Sequence, residues 1–180
     1  EHQRQCDYFT MHDVDQIPTN PQNDYGWRQD PTHMCTYSTQ YTYSQWPPPS
    51  HVGGVLMSTL SDYKEMNGYS NKYHGWGLED NDQYWRLVKV FDKVERLPQT
   101  IGHYRDLPHE RVMGLDTTDN YNESKQVLDA LMASSGTEYT ETDGYSQVTD
   151  TAKINDVRVR GRVVTVLAEV LKDGKRQSAC

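Results

Sequence analysis

The sequence predicts a single α/β domain of 180 residues, and three observations carry that prediction. Strand-sized apolar runs stand near the start, the middle and the end, at Cys6–Met11, His51–Met57 and Val163–Val170. Between them, from about Glu79 to Val90 and over Asn122–Ala133, apolar residues recur at helical spacing. The apolar share is only 34%, with 13 Tyr and 4 Trp against 2 Phe, so the core should be thin. Rings with a polar edge suit half-wet surfaces and sugar-binding clefts better than a dry interior.

Taken in order, Cys6–Met11 is a short strand running straight into His12-Asp13-Val14-Asp15, and the prolines at 18 and 21 stop it. Residues 19–50 form a long polar connection, rich in Tyr and Pro, that ends in Pro47-Pro48-Pro49. Connections of that length are usually functional or wrap a neighbour, which makes 19–50 a candidate protein-packing surface. His51–Met57 reads as a buried strand broken by Gly53-Gly54, and Ser61–Met66 as a short helix stopped by Asn67-Gly68. The loop Tyr69–Leu78 is rich in Gly and aromatic residues. In the helix that follows, Tyr84, Leu87, Val88 and Phe91 make one apolar face. Glu79 and Asp80 sit at its N-terminus, where the helix dipole favours carboxylates. The second helix places Val127, Leu128, Leu131 and Met132 on one side. Val157, Val159, Val163, Val164, Val166 and Leu167 then mark a hairpin turning near Arg160-Gly161.

Charge narrows the partners. A net charge of −8 disfavours nucleic acid or an anionic membrane as the main partner. No stretch approaches the roughly 20 apolar residues of a membrane span, so no membrane contact is expected of this segment. Glu1–Cys6 is polar and lacks the apolar run of a signal peptide. Cysteines at 6, 35 and 180 fit neither a zinc spacing nor CxxC; a Cys6–Cys35 bridge and three free thiols are both open. Asn122-Glu123-Ser124 is a glycosylation sequon, a pointer to secretion.

Three segments could carry chemistry. Asp13-Val14-Asp15 at a strand end would put two carboxylates on one face, fit for a hard divalent cation bound to phosphate oxygens; the plainer reading is a pair of solvated turn acids. In Gly75-Trp76-Gly77-Leu78-Glu79-Asp80, two glycines let backbone approach a ligand and present the indole as a flat platform for a sugar. A carboxylate just beyond could take a proton from a hydroxyl; the alternative is an ordinary helix cap with a packed Trp. His103 and His109 are loop histidines, more often surface residues than metal ligands.

The segments also occur in a telling order. The succession MHDVDQIP (Met11–Pro18), HVGGV (His51–Val55), NGYSNKYHGWGLEDND (Asn67–Asp82) and IGHYRD (Ile101–Asp106) resembles the beta-1,4-galactosyltransferase family of inverting glycosyltransferases. The first and third look closest to the branch that galactosylates xylose on proteoglycan core proteins. The likeness runs from about residue 7 to about 115, with a fainter echo at Asp143-Gly144-Tyr145 and Val163–Val170. It implies a GT-A nucleotide-sugar transferase fold, a mixed sheet flanked by helices with a C-terminal β-hairpin. Residues 1–180 would be one domain, with the catalytic motifs in 1–115 and a helix plus hairpin in 116–180. The family's domain begins well before its DVD strand, so the domain is expected to be incomplete at the N-terminus.

By the same resemblance Asp15 would bind Mn²⁺ with His103, which stands in an H-x-R-D context, and His109 would be the fallback ligand. Asp13 would lie by the nucleotide. His51, Gly53 and Gly54 would line the donor side, and Trp76 would lie against donor and acceptor. Glu79 and Asp80 would hold the acceptor sugar, with Asp80 as catalytic base. The chain departs from the family at His74 (usually Trp), at Asn81 (usually Asp), at His51 (usually aromatic, and an influence on donor choice), and along Tyr37–Pro49. The expected function is Mn²⁺-dependent, inverting transfer of galactose or a related sugar from a UDP-sugar to a glycan or glycoprotein acceptor, in the Golgi lumen or outside the cell. The alternative is a non-catalytic relative with a structural or binding role in an extracellular assembly.

Overall fold

The computed structural model describes residues 7–40, 49–109, 118–134, 138–148, 152–160, 163–172 and 175–176. The chain runs through β1 (Phe9–His12), β2 (Gln16–Pro18), β3 (Thr32–His33), β4 (Tyr37–Ser38), β5 (Val55–Ser58), α1 (Leu60–Glu65) and α2 (Glu79–Phe91). It continues through β6 (Glu95–Arg96), β7 (His103–Asp106), α3 (Thr118–Ala133), α4 (Glu138–Glu141), β8 (Ala152–Arg160), β9 (Val163–Lys172) and β10 (Lys175–Arg176).

β5 organises the interior. It pairs antiparallel with β1 on one side and β3 on the other, and β6 adds parallel to β3, giving a mixed sheet in the order β1-β5-β3-β6. With both edges paired, all four β5 residues are buried. Alternate side chains face opposite ways along a strand, so β5 serves two small cores. Val55 and Met57 join Met34, Cys35 and Tyr104, while Leu56 joins Val52, Met66 and Leu87. Each such side chain contributes about 1.5–3 kcal/mol. Two modest clusters in place of one large one match the thin core predicted from composition.

A second mixed sheet, β2-β7-β4, pairs β2 antiparallel and β4 parallel with β7. The predicted hairpin is β8–β9, registered Arg160↔Val163, with β10 as a third strand. α1 is capped by Thr59, whose hydroxyl accepts from the Asp62 N–H at 3.1 Å, and it stops where predicted: Asn67 and Gly68 take φ of 59° and 63°. α2 and α3 fall where helical spacing placed them, although Met132 is 52% exposed and Leu131 alone of the predicted α3 face is fully buried.

Three local expectations change. Residues 19–50 are not all surface: Pro31–Thr36 are buried and supply β3 and part of one core, and Asn23 and Ser38 to either side are buried as well. Two-residue strands carry too little alternation to be read from sequence. Gly53 and Gly54 precede β5 instead of interrupting it. Asp13–Asp15 are a turn between β1 and β2, closed by the Gln16 N–H on Asp13 O at 3.2 Å, so the same-face argument for the two carboxylates does not apply. Cys35 is a buried free thiol held up from its ordinary value by burial; Cys6 and Cys180 lie outside the described residues.

Candidate active site

The turn sends Asp13 and Asp15 to different neighbours. The Asp13 N–H donates to Gly54 O at 2.8 Å, which ties the turn to the loop before β5. Asp15 accepts at its backbone oxygen from the Leu107 N–H at 2.6 Å, and its Oδ2 lies 3.1 Å from His109 Nε2. Strand register explains why His109 and not His103 meets Asp15. Gln16 pairs with Asp106, so Asp15 faces Leu107, and His103 is four residues or about 13 Å further along the strand. His103 Nδ1 is instead 2.6 Å from Thr19 Oγ1, and its ring stacks on Tyr37 at 4.4 Å. The residue expected as fallback is therefore the one that reaches the aspartate.

Asp15 and His109 line an open pocket of about 290 Å³ with Thr39, Gln40 and Asp106. Burial alone would raise Asp106, yet it titrates below its ordinary value. Its carboxylate accepts from the Ser38 hydroxyl, from the Gln40 N–H at 2.8 Å, from Thr39 Oγ1 at 3.0 Å and from Gln16 Nε2 at 3.1 Å. Among the described residues no group of three or more His, Cys, Asp and Glu forms a closed metal cage. One carboxylate and one imidazole at a solvent-open pocket instead fit a hard cation that keeps water and phosphate oxygens as its other ligands.

The second half of the site is built by the turn entering α2. Gly75, Gly77 and Leu78 all have positive φ (89°, 112° and 73°), and the Gly77 N–H donates to Glu79 Oε2 at 2.9 Å. For Leu78 that conformation costs on the order of 1–3 kcal/mol. The turn leaves Trp76 52% exposed. It also fits under α3: a Cβ on Gly77 would meet Tyr121 Cδ2 at 3.4 Å, so a second aromatic ring lies over it.

Asp80, one helical position on, turns its carboxylate inward. A Cβ on Gly53 would fall on Asp80 Oδ2 and on the His51 ring, so glycine is required there for the loop to close over the carboxylate. Asp80 is pushed up to about 7, first by burial, then by the charges of Glu79 and Asp13, against one hydrogen bond from Tyr69. Asp13 is raised by burial and by Asp15, Glu79 and Asp106, with His12 opposing. Asp13 thus senses both halves of the site electrostatically.

Behind the turn, fully buried Arg86 donates to Asp82 Oδ1 at 2.5 Å, Asp143 O at 2.6 Å and Asp143 Oδ2 at 3.2 Å. Asp143 also accepts from Ser70 Oγ and from the Asn71 N–H, so this ion cluster anchors the loop that leads to Trp76. Sequence reading missed Arg86, Asp82, Tyr69 and Tyr121. The first two sit on a helix face that looks solvated when read as charge, Tyr69 stands inside the Asn67–Asp82 motif without a chemical signal of its own, and Tyr121 lies outside any motif. Asn81, at the family's usual Asp position, donates to Ser50 O at 2.6 Å. Asn122 is exposed on α3, while Ser124 of the same sequon is buried.

Comparison with known proteins finds likeness in sequence and in fold. Residues 32–110 match the family model for the N-terminal domain of galactosyltransferase. The xylosylprotein 4-beta-galactosyltransferase of Caenorhabditis elegans is 45% identical over 83 residues, which are 46% of this chain and 28% of that one. Human beta-1,4-galactosyltransferase 3 is 38% identical over 104 residues, 57% of this chain and 26% of its own length. Human beta-1,4-galactosyltransferase 6 is 31% identical over 130 residues, 69% of this chain and 34% of its own. The chain therefore spans about a quarter to a third of these relatives. Among solved structures, a mutant of Drosophila beta-1,4-galactosyltransferase 7 in complex with manganese, UDP-Gal and xylobiose superposes with a TM-score of 0.68 at 26% identity, covering 93% of this chain and 68% of that one. The catalytic domain of the Drosophila enzyme with xylobiose gives 0.65 at 24% identity over the same shares, a likeness of fold. With the motifs in order and the mixed sheets superposing, the chain is similar in sequence to the beta-1,4-galactosyltransferases and in fold to their GT-A catalytic domain.

Proposed function

We propose that the protein carrying this chain is a manganese-dependent, inverting glycosyltransferase. It would move galactose or a related sugar from a UDP-sugar to a hydroxyl of a glycan or glycoprotein acceptor, in the Golgi lumen or beyond it. The observation that carries this reading is Asp80, a half-buried carboxylate at the head of α2 pushed up to about 7, with exposed Trp76 on the turn that enters the helix. A general base works best when its proton affinity lies near the working pH.

In the proposed reaction the acceptor sugar rests on Trp76 and Tyr121, with Glu79 keeping one oxygen free for it. Asp80 takes the proton from the attacking hydroxyl. That oxygen forms the new bond to the anomeric carbon from the face opposite the nucleotide, and the bond to the diphosphate breaks, so the centre inverts in one displacement. Asp13, His51 and the Gly53-Gly54 backbone border the donor side. Asp15 and His109 are the residues that would hold the cation, which when bound supplies Lewis acidity to the departing diphosphate. Asp106, saturated by four donors, would orient the Thr39-Gln40 edge of that pocket.

The test uses the full-length protein. UDP with Mn²⁺ should raise its melting temperature, and Asp80→Asn should keep that shift while losing sugar transfer by 10²-fold or more, on the order of a general base's contribution. No thermal shift, with no transfer, would favour the non-catalytic module.

A further inference from the structure

The segment Pro49–Gly53 crosses the site without regular secondary structure, and its carbonyls are held by side chains in place of a sheet partner. Arg96 Nη2 donates to Pro49 O at 2.9 Å and to His51 O at 2.7 Å. Asn81 Nδ2 donates to Ser50 O at 2.6 Å, and His33 Nε2 is 2.8 Å from Gly53 O. Arg96 Nη1 lies 2.5 Å from His33 Nδ1, so Nδ1 must accept and Nε2 must carry the proton that goes to Gly53. The guanidinium is steadied by the Tyr84 ring, 5.7 Å away. A fully buried His, a half-buried Arg and an Asn in the first turn of α2 are thus all spent on one five-residue strap. What the strap covers is Asp80: its carboxylate and the His51 ring share the space above Gly53.

We infer that Arg96, His33 and Asn81 are positioning residues that press the Pro49–Gly53 strap onto Asp80 and so restrict water on that side of the half-buried carboxylate. This deepens the reading of Asp80 as the base and rests on it. His33 fits the role because burial first, then the Arg96 charge, holds it down to about 3, leaving a neutral ring that can accept from Arg96 and donate to Gly53 together. The groups acting on Asp80 are Glu79, Asp13 and Tyr69, with His51 alongside; none of these is changed in the variants below.

The two simplest effects of losing Arg96 have opposite signs, which makes the inference testable. Removing a nearby cation raises a carboxylate's pKa, whereas letting water reach it lowers the pKa. Carbon-13 NMR titration of Asp80 in the full-length protein, without ligands, reads the sign directly and needs no activity. Arg96→Met and His33→Leu should lower the Asp80 midpoint by about one pH unit or more, toward the ordinary carboxylate range. His33→Gln should leave it in place, since its amide can accept from Arg96 and donate to Gly53. Where transfer is measurable, the acid limb of kcat should move the same way in the first two variants and stay in place in His33→Gln. An Asp80 midpoint that stays put or rises in Arg96→Met and His33→Leu overturns the inference. If those variants do not fold, Asn81→Ala decides in their place, with a fall supporting the strap and no change sinking it. Loss of the base reading itself would look different: Asp80→Asn would transfer sugar normally, whatever the titrations gave.

Discussion

Replacing Asp80 by Asn should make the protein more stable at neutral pH while removing its proposed chemistry. The sign follows from linkage. Asp80 titrates at about 7 in the folded chain against 3.8 for a free carboxyl, so between those values the folded state binds more protons than the unfolded one. The stability this group contributes is fully present below about pH 3.8 and is lost as pH rises through about 7. At 1.36 kcal/mol for each tenfold change in proton affinity, the gap corresponds to about 4 kcal/mol at most. Water in the cleft and coupling to Asp13 and Glu79 reduce that, so a gain of about 2–4 kcal/mol is expected for Asp80→Asn above pH 7. For a domain of this size that is roughly 5–15 °C in melting temperature. The assay is thermal unfolding of both proteins from pH 4 to pH 9. The curves should meet near pH 4 and separate through pH 7. Parallel curves, or a variant less stable at pH 8, would refute the argument that Asp80 is held charged against its burial.

His109→Ala should abolish the melting shift given by Mn²⁺ with UDP, whereas His103→Ala should leave it, because only His109 is in contact with Asp15; the reverse result would reject the register argument. Arg86→Met strands Asp82 and Asp143 without their cation and should cost about 3–5 kcal/mol in urea unfolding, with Asp82→Asn/Arg86→Met recovering part of it. A loss under about 1 kcal/mol would mean the cluster anchors nothing. Trp76→Ala should raise KM for the acceptor sugar at least tenfold and leave the thermal shift by UDP intact, since its ring stands on the open side of the α2 turn.

Much of this arrangement could be read from the chain, and the failures have physical causes. The start of α2, the Asn67-Gly68 stop and the β8–β9 hairpin were legible because helical spacing, left-handed turn residues and alternation are local signals. The turn that carries Trp76 into the Glu79-Asp80 start of α2 was legible for the same reason: the G-W-G-L-E-D run is contiguous. The pairing of Asp15 with His109 was not. It depends on the register of β2 against β7, residues 90 apart in sequence, and each one-residue shift would move the partner by about 3.3 Å and to the other face. β3 was hidden for a different reason. Two residues cannot show a period, and Thr32 and His33 are polar types that a sequence reader places outside. His33 is buried because Arg96 and Gly53 satisfy both ring nitrogens, and that satisfaction exists only once β3 and β6 are parallel.

Asp106 and Asp80 sort the carboxylates of the cleft by role. Asp106 has its negative charge met by four donors, so it stays ionised and fixed across the working pH range. Asp80 has one donor, a loop closed over it and two like charges nearby, and Asp13 stands between the two halves with its own value raised. Arg96, His33 and Asn81 hold the loop over Asp80 by its backbone carbonyls, and none of the three is among the groups that act on the Asp80 charge. Environments that push neighbouring carboxylates apart in proton affinity divide them into one that holds its charge and one that can exchange a proton. In this cleft that division assigns the cation side to Asp15, His109 and the fixed charge of Asp106, and the proton to Asp80.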